Sequence, residues 1–489
     1  MKAIKSNNGC AGALLTDLYQ LTMACAYWKA GKADQEAVFE LFFRRSPFHS
    51  GYTVAAGLAP AIDFLGAFCF TDDDTAFLAT LTGNDGRPLL DAKFLDYLKG
   101  LRFTCDVHAV PEGTVVFPKE PLLRVQGPIL QCQLLETAML NLINFQTLVA
   151  TKAARVCLAA QGEPVLEFGL RRAQGVDGAL AASRAAYIGG CESTSNVLAG
   201  KLFNIPVRGT HAHSWVMSFD DEREAFHAYA EAMPNNCIFL VDTYDTLEGV
   251  RRAVEAGRWL REHGHELGGI RLDSGDLAWL SIEARKILDE AGFGKAVIIA
   301  SNNLDEHIIA SLKDQGARIN VWGVGTKLVT AYDEPALGGV YKLAAVRGND
   351  GQWIYKVKLS EQSTKVTNPG IHQVRRFRSK TEFIGDGIYD LQCGAPEDFT
   401  LVDPLDSTRR KHLLPGTPFE DLLVPVFEHG KQVYQSPPLA DIRRRTLSQL
   451  AMFHSGVKRF VNPHQYPVGL ELGLHELKME LVLKARGER

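Results

Sequence analysis

Ile205-Pro-Val-Arg-Gly-Thr-His-Ala-His-Ser-Trp-Val-Met-Ser-Phe219 is the stretch on which the reading of this chain turns. Ile205 and Val207, with the apolar residues before them, predict a short buried strand entered through Pro206. Gly209 breaks it and releases Thr210, His211, His213 and Ser214 in quick succession. A strand that ends in a burst of polar, reactive side chains is how α/β barrels build active sites at the carboxyl edge of the sheet. If the segment stays extended, His211 and His213 point the same way, because side chains alternate with period two. His213 is the first candidate for the reactive group.

The same pattern recurs on both sides. Short apolar runs at 165–168, 205–208, 237–241, 269–272, 296–300, 318–322 and 340–346 alternate with helical stretches. Such alternation predicts a parallel sheet closed into a (β/α) barrel, irregular because seven runs rather than eight are visible. The exits from these strands carry Arg171-Arg172, Thr210 to Ser214, Asp242-Thr-Tyr-Asp245, Asp273-Ser-Gly-Asp276, Ser301-Asn302-Asn303 and Gly323-Val-Gly325-Thr326-Lys327. Nearly all of the reactive chemistry therefore gathers at one end of the expected barrel.

Residues 1–12 read as an arm. Residues 14–29 show helical spacing, with Thr16 or Asp17 as cap and Gly31 as stop, and Tyr19, Tyr27 and Trp28 expected in a core. Residues 37–43 are β-prone, and 103–125 alternate β-branched residues with Pro and Gly, predicting turn-punctuated strands. An apolar helix without Gly or Pro runs over 129–158. The expected division is an N-terminal α+β domain at 1–128, a catalytic α/β barrel at 129–346 and a C-terminal extension at 347–489. The extension reads as β-rich at 353–359 and 373–377 and as irregular in its tail.

Composition narrows the class. With 489 residues, 46% of them hydrophobic, the chain can bury a large core in two or three domains. A formal charge of -4 argues against a general electrostatic grip on nucleic acid or an anionic membrane. Nine cysteines spread singly, with no Cys-x-x-Cys pair, favour reduced thiols and a cytoplasmic setting. Asp17 interrupts the first apolar run too early for a signal peptide, and no stretch approaches the ~20 apolar residues of a membrane span.

Each cluster has a structural reading beside a functional one. Gly323-Val-Gly325-Thr326 after a late strand suits a phosphate, whose oxygens approach backbone N–H groups most closely over glycine; a plain tight turn explains it equally. Arg271 alternates with Ile270 and Leu272, so it needs an anionic partner, either a neighbouring aspartate or a bound carboxylate or phosphate. Asp273 and Asp276 suit sugar hydroxyls or hydrated Mg²⁺, and Asp276 equally suits a helix N-cap. Two histidines spaced i, i+2 can hold one metal, which opens a hydrolase reading for His211 and His213. That reading needs ligands from other exits, where no third histidine follows a strand. A nucleophilic or acid–base histidine is more economical.

Taken together, these segments resemble the nicotinate phosphoribosyltransferase family. The match is carried by Thr16-Asp-Leu-Tyr-Gln-Leu-Thr-Met23, Glu167-Phe-Gly-Leu-Arg-Arg172, Gly209-Thr-His-Ala-His-Ser214, Arg271-Leu-Asp-Ser-Gly-Asp276, Ser301-Asn-Asn303 and Gly323-Val-Gly-Thr326. Lys365-Val-Thr-Asn-Pro-Gly370 and Asn462-Pro-His-Gln-Tyr-Pro467 extend it towards the C-terminus. The resemblance implies that nicotinate and 5-phosphoribosyl-1-pyrophosphate give nicotinate mononucleotide and pyrophosphate, with Mg²⁺ and with ATP transiently phosphorylating His213. It implies Asp273 as a catalytic partner; Tyr19, Thr210, Arg271 and Arg171 at nicotinate; and Ser301, Asn302, Gly323, Gly325 and Thr326 at the phosphoribosyl group. It also implies a homodimer with the site near the interface, which moves Tyr19 from a core to a partner's barrel. Nicotinamide phosphoribosyltransferases are relatives, but no acid beside Thr210 would receive an amide, and Arg271 favours the acid.

Overall fold

A computed structural model describes residues 11–362 and 365–487. The arm expected at 1–12 lies outside the described residues except for Ala11–Gly12, a two-residue strand paired with Phe68–Cys69. The chain forms two compact units, Met1–Leu148 with Ala336–Arg489, and Val149–Pro335. The sequence was divided at 128 and 346; the units divide at 148 and 335 and join the two ends of the chain.

Long-range antiparallel pairing explains that union. Glu36–Phe43 pairs with both Leu123–Pro128 and Gly339–Arg347, and Asp106–Ala109 pairs with Val424–Glu428, within one seven-stranded sheet. The run at 340–346 is thus a strand of this sheet and not of the barrel. Only the single-turn helix Thr326–Val329 precedes it, too short to cover a sheet face as a parallel crossover does. A second sheet of six strands, from Phe383–Asp390 and His372–Arg378 to Val468–Glu471, encloses Phe377, Tyr389, Phe399, Leu401 and Leu413. The tail expected to be irregular also carries helices Leu439–Met452 and Leu472–Arg486.

Helix Leu18–Lys29 begins where expected. Asp17 occupies the N-cap but gives no side-chain cap bond; its carboxylate instead accepts from the Thr137 hydroxyl at 2.7 Å. Trp28 packs on Phe94 and Tyr97, whereas Tyr19 is 48% exposed, against the core reading. The helix expected at 129–158 is interrupted at Leu135, giving Ile129–Leu134 and Glu136–Ala159.

The second unit is the one that matters for chemistry. Its strands lie in the order Ile238–Leu240, Gly269–Leu272, Val297–Ala300, Val321–Val324, Val165–Glu167, Ser193–Thr194, all neighbours parallel. Helices fill the connections, capped by Asn196, Asp245, Asp276 and Asp305. Lys152 and Arg155, both buried, share Glu306 at 2.8 and 2.7 Å and tie Glu136–Ala159 to Glu306–Asp314.

The barrel is not closed by backbone pairing among the described residues. Residues 205–208 supply only one parallel bridge, Val207 to Thr194, and Ser193–Thr194 is a strand without an apolar run to announce it. Across the remaining seam the Leu240 N–H donates to His211 Nε2 at 3.2 Å. The last strand also starts later than read, at Val321 rather than at Arg318. Among the described residues seven cysteines are free thiols, but Cys69 is disulfide-bonded, which corrects the all-reduced reading at that position. No described helix is long and apolar enough to cross a membrane.

Candidate active site

Because every neighbouring pair is parallel, the strands of the second unit deliver their exits to one edge. There a cavity of 390 Å³ opens, within the size range of small-molecule sites. Thr210, Arg271, Arg171, Asp273, Ser301, Asn302, Gly323, Gly325 and Thr326 all line it. Arg172 lines it too, so the exposed Arg171-Arg172 pair belongs to the pocket.

One corner is cationic and half buried. Arg271 sits on Gly269–Leu272, in register between Leu240 and Ile299, and one terminal nitrogen donates a short hydrogen bond to Thr210 Oγ1. The Thr210 hydroxyl donates in turn to the His211 carbonyl at 3.2 Å. Burial lowers the Arg271 pKa, and Asp273 and Asp242 offset part of that effect. Its Nε is buried without a hydrogen-bond partner among the described residues. A guanidinium held this way has donors left for a carboxylate.

The facing wall depends on glycine. A Cβ on Gly323 would stand 2.8 Å from the Phe168 ring, and one on Gly325 would stand 2.9 Å from the Phe168 carbonyl oxygen. Those glycines let Phe168 lie against the strand end and turn its ring towards the cavity it lines. The exit behind Phe168 is fixed by Glu167, which is fully buried. Its carboxylate accepts from the Gly169 N–H, from Ser183 Oγ at 2.7 Å and from Thr194 Oγ1 at 2.6 Å. On the next exit Asn302 adopts φ 106°, a conformation that few residues other than glycine tolerate.

His213 stands beside this pocket rather than among its lining residues. Helix His213–Met217 begins at it, so the extended geometry expected for 209–214 ends at Ala212. Its Nδ1 lies 3.2 Å from Thr243 Oγ1, and its Nε2 lies 4.0 Å from Asp242 Oδ1 and 3.9 Å from Asp273 Oδ2. Asp242 is almost fully buried; its Oδ2 accepts from the Asp273 N–H at 2.9 Å and from Ser274 Oγ at 2.6 Å. Its Oδ1 has no hydrogen-bond partner among the described residues. Asp273 also accepts a short hydrogen bond from Ser301 Oγ.

His211 also lines the cavity, but its ring is committed to an aromatic cluster. It packs against Phe226, Tyr229 and Phe239, with Nε2 taken by the Leu240 N–H. Burial, reinforced by Arg271 and His213, pulls its pKa down to about 4, so it is neutral near pH 7. The two histidines therefore do not converge, and no group of three or more His, Cys, Asp or Glu among the described residues is arranged to hold a metal. The hydrolase reading loses its ligand pair. Asp276 is the N-cap of Leu277–Glu290, accepting from the Trp279 N–H at 3.1 Å, as its structural reading had it.

Sequence reasoning passed over Asp242, Phe168 and Ser195 as site residues. Asp242 follows its strand as Asp273 follows the next, and that repeated position was the available signal. Phe168 and Ser195, both lining the cavity, look like ordinary core and loop residues in sequence. Tyr19 belongs to the first unit, on the exposed side of Leu18–Lys29.

Comparison with known proteins agrees along most of the chain. Residues 14–144 match the nicotinate phosphoribosyltransferase N-terminal domain, 164–376 the nicotinate phosphoribosyltransferase family and 371–478 its C-terminal domain. The nicotinate phosphoribosyltransferase of Bacillus subtilis is 47% identical over 478 residues, covering 96% of this chain and 95% of that one. The crystal structure of human nicotinic acid phosphoribosyltransferase superposes with a TM-score of 0.82 at 35% identity, covering 95% of this chain and 99% of that one. A nicotinate-nucleotide pyrophosphorylase from Pyrococcus furiosus shares the fold, with a TM-score of 0.69 at 22% identity over 92% of this chain and 97% of that one.

Proposed function

The chain belongs to the nicotinate phosphoribosyltransferase family, and from that premise we propose that it joins nicotinate to 5-phosphoribosyl-1-pyrophosphate for NAD biosynthesis, in the cytoplasm, with ATP as co-substrate. The observation that carries this reading is the convergence of Arg271 with Thr210, Arg171 with Arg172, Asp273 with Ser301, and Gly323 to Thr326 on one cavity. A carboxylate, a sugar, a phosphate and a pyrophosphate each find the matching chemistry there.

In the proposed reaction the pyridine nitrogen attacks C1 of the ribose, and the C1–O bond breaks with its electron pair leaving on pyrophosphate. Arg271, oriented by Thr210, holds the nicotinate carboxylate, while the Phe168 ring offers an apolar face to the pyridine. Backbone N–H groups near Gly323 and Gly325, with Thr326, receive the 5′-phosphate, and Ser301, Asn302 and Asp273 receive the phosphoribosyl hydroxyls. Arg171 adds positive charge beside Arg271 for the nicotinate carboxylate, and together with Arg172 it stabilises the negative charge that develops on the departing pyrophosphate. Holding the nitrogen close to C1 supplies much of the remaining acceleration. The cationic corner and the neutral Ser195 favour nicotinate over nicotinamide.

Mg²⁺ fits the donor set. Asp242 Oδ1 is a buried carboxylate oxygen with no hydrogen-bond partner among the described residues, and it and Asp273 Oδ2 lie 4.0 and 3.9 Å from His213 Nε2. Mg²⁺ binds through one or two carboxylates plus substrate phosphates, keeping waters of its own. Asp242 and Asp273 would hold it, and it would supply positive charge against that of the pyrophosphate.

His213 is the group that links ATP to this reaction. Its Nδ1 is oriented by Thr243, which leaves Nε2 to accept the terminal phosphoryl group of ATP, with ADP departing. The phosphate adds a charge of about -1.5 to -2 by analogy with other phosphoresidues, enough to reorganise the cationic mouth. Hydrolysis then restores the imidazole. Synthesis of nicotinate mononucleotide from labelled nicotinate tests both levels. His213→Ala should abolish stimulation by ATP and leave slow ATP-independent synthesis; undiminished stimulation would overturn the phosphohistidine, and no synthesis by the unaltered chain would overturn the activity.

The resemblance also supports a homodimer. Leu18, Tyr19 and Met23 leave a half-exposed apolar stripe on Leu18–Lys29, a surface suited to a second copy.

A further inference from the structure

The reaction above makes no use of Lys327, although it follows Thr326 directly and carries a charge that suits a phosphate. Neither Lys327 nor Asp305 is among the residues lining the cavity. Register pairing between the strands Val297–Ala300 and Val321–Val324 ends at Ala300 and Trp322. Past that point the Lys327 ammonium, 5.4 Å from the centre of the Tyr332 ring, forms a short ion pair with Asp305 Oδ2. That pair ties the exit carrying Ser301 and Asn302 to the exit carrying Gly323 to Thr326.

Asp305 is itself rigidly held. It is buried at the N-cap of Glu306–Asp314, where its Oδ1 accepts from the His307 N–H at 3.0 Å and the Ile308 N–H at 2.8 Å. The cap uses one carboxylate oxygen, and the other meets Lys327. Burial would raise the Asp305 pKa, but Lys327 and the Ile308 N–H outweigh it and hold the carboxyl below its ordinary value. Glu306, the next residue, is gripped by Lys152 and Arg155, and Lys152 also stands 3.3 Å from Asp333. Three carboxylates thus answer three cations, and the start of Glu306–Asp314 is fixed from two sides.

We infer that Asp305 and Lys327 are positioning residues for the phosphoribosyl end of the cavity: paired with each other outside it, they set the spacing between Ser301-Asn302 and Gly323 to Thr326. The inference rests on the proposed placement of the ribose hydroxyls at the first exit and the 5′-phosphate at the second. One rigid ligand then spans two exits, and it keeps its hydrogen bonds at both ends only if their separation is right. A buried ion pair seldom gains more than its desolvation costs, so what this one contributes is geometry. The nicotinate corner hangs on other exits, those of Thr210 and Arg271, and does not depend on the tether.

Steady-state kinetics with each substrate varied in turn test the tether. Asp305→Asn/Lys327→Met removes both charges at once, so neither is left buried and unpaired, and asparagine keeps the helix cap. The KM for 5-phosphoribosyl-1-pyrophosphate should rise by about tenfold while that for nicotinate stays within about twofold. Lys327→Arg, which can still pair with Asp305, should keep both values close to those of the unaltered chain. An equal rise in the two KM values would make the pair merely structural and overturn the inference. Thr326→Val separates it from the reading beneath it. If Thr326→Val raises the KM for 5-phosphoribosyl-1-pyrophosphate and the double variant does not, the tether alone fails; if Thr326→Val has no effect, the phosphate placement fails and the tether with it.

Discussion

Thr210 shows how one hydroxyl can set the use of a neighbouring charge. It accepts from Arg271 and donates to the His211 carbonyl, so the guanidinium is held by a group that is itself held. Thr210→Val keeps the volume and removes the tether. The KM for nicotinate should rise by about fivefold to tenfold with kcat nearly unchanged, while Arg271→Gln should raise KM by about a hundredfold. Steady-state kinetics decide it; a Thr210→Val enzyme that lost kcat at constant KM would show the hydroxyl acting on the chemistry and not on binding. At this scale the sequence was legible wherever a charge had no business in its setting, as Arg271 among apolar neighbours. It was least legible for aspartates. Asp242, Asp245, Asp273 and Asp276 all follow strands, yet Asp245 and Asp276 cap helices while Asp242 and Asp273 face His213. A cap and a ligand carry the same letter, and only three-dimensional placement separates them.

Elements were legible when they were long enough to show a period. Leu18–Lys29, Glu36–Phe43 and four of the parallel strands fall where alternation put them; Ser193–Thr194 has too few residues to have a period at all. The strand Gly339–Arg347 was found and assigned to the wrong sheet, because a pattern of burial does not name the partner strand. One contact between elements makes its own prediction. His372, at the start of His372–Arg378, is completely buried between Glu40 Oε2 at 2.6 Å and the Pro369 carbonyl at 2.7 Å. Both partners accept, so both ring nitrogens must carry protons. Burial alone would lower its pKa, but Glu40 and the Pro369 carbonyl outweigh it and raise the value above 6.5. The stabilisation is therefore complete below about pH 6.5 and is lost as pH rises through the folded pKa. His372→Leu takes from the buried Glu40 its hydrogen-bonded imidazolium, leaving only the charge of its cross-strand neighbour Arg124, and should cost about 3–5 kcal/mol. Melting temperatures followed from about pH 6 to about pH 9 should fall for the unaltered chain and stay nearly level for the variant; equal slopes would mean that His372 is neutral in the fold.

Across the whole molecule, the sequence revealed the parallel core and its mouth but not which distant stretches combine. Glu36–Phe43 joins Gly339–Arg347 across some three hundred positions, and nothing local in either strand states that choice. Tyr19 poses the same problem between molecules. It is half exposed on the first unit, and the proposed dimer has it serving the pocket of the other protomer. Mixing two damaged enzymes discriminates between service in trans and service in cis. Tyr19→Ala keeps His213, and His213→Ala keeps Tyr19, so in a heterodimer the Tyr19→Ala protomer's pocket receives an intact tyrosine from its partner. The other pocket lacks both. Random re-association makes half of the dimers mixed, each with one of two sites repaired, so ATP-stimulated synthesis should recover to about one quarter of the unaltered level. If Tyr19 acts within its own chain, each pocket in the mixed dimer still lacks one residue, and mixing restores nothing. Sedimentation of the same mixtures fixes the oligomeric state, so exchange that occurs without recovery rules out sharing, and a monomer rules out the dimer itself.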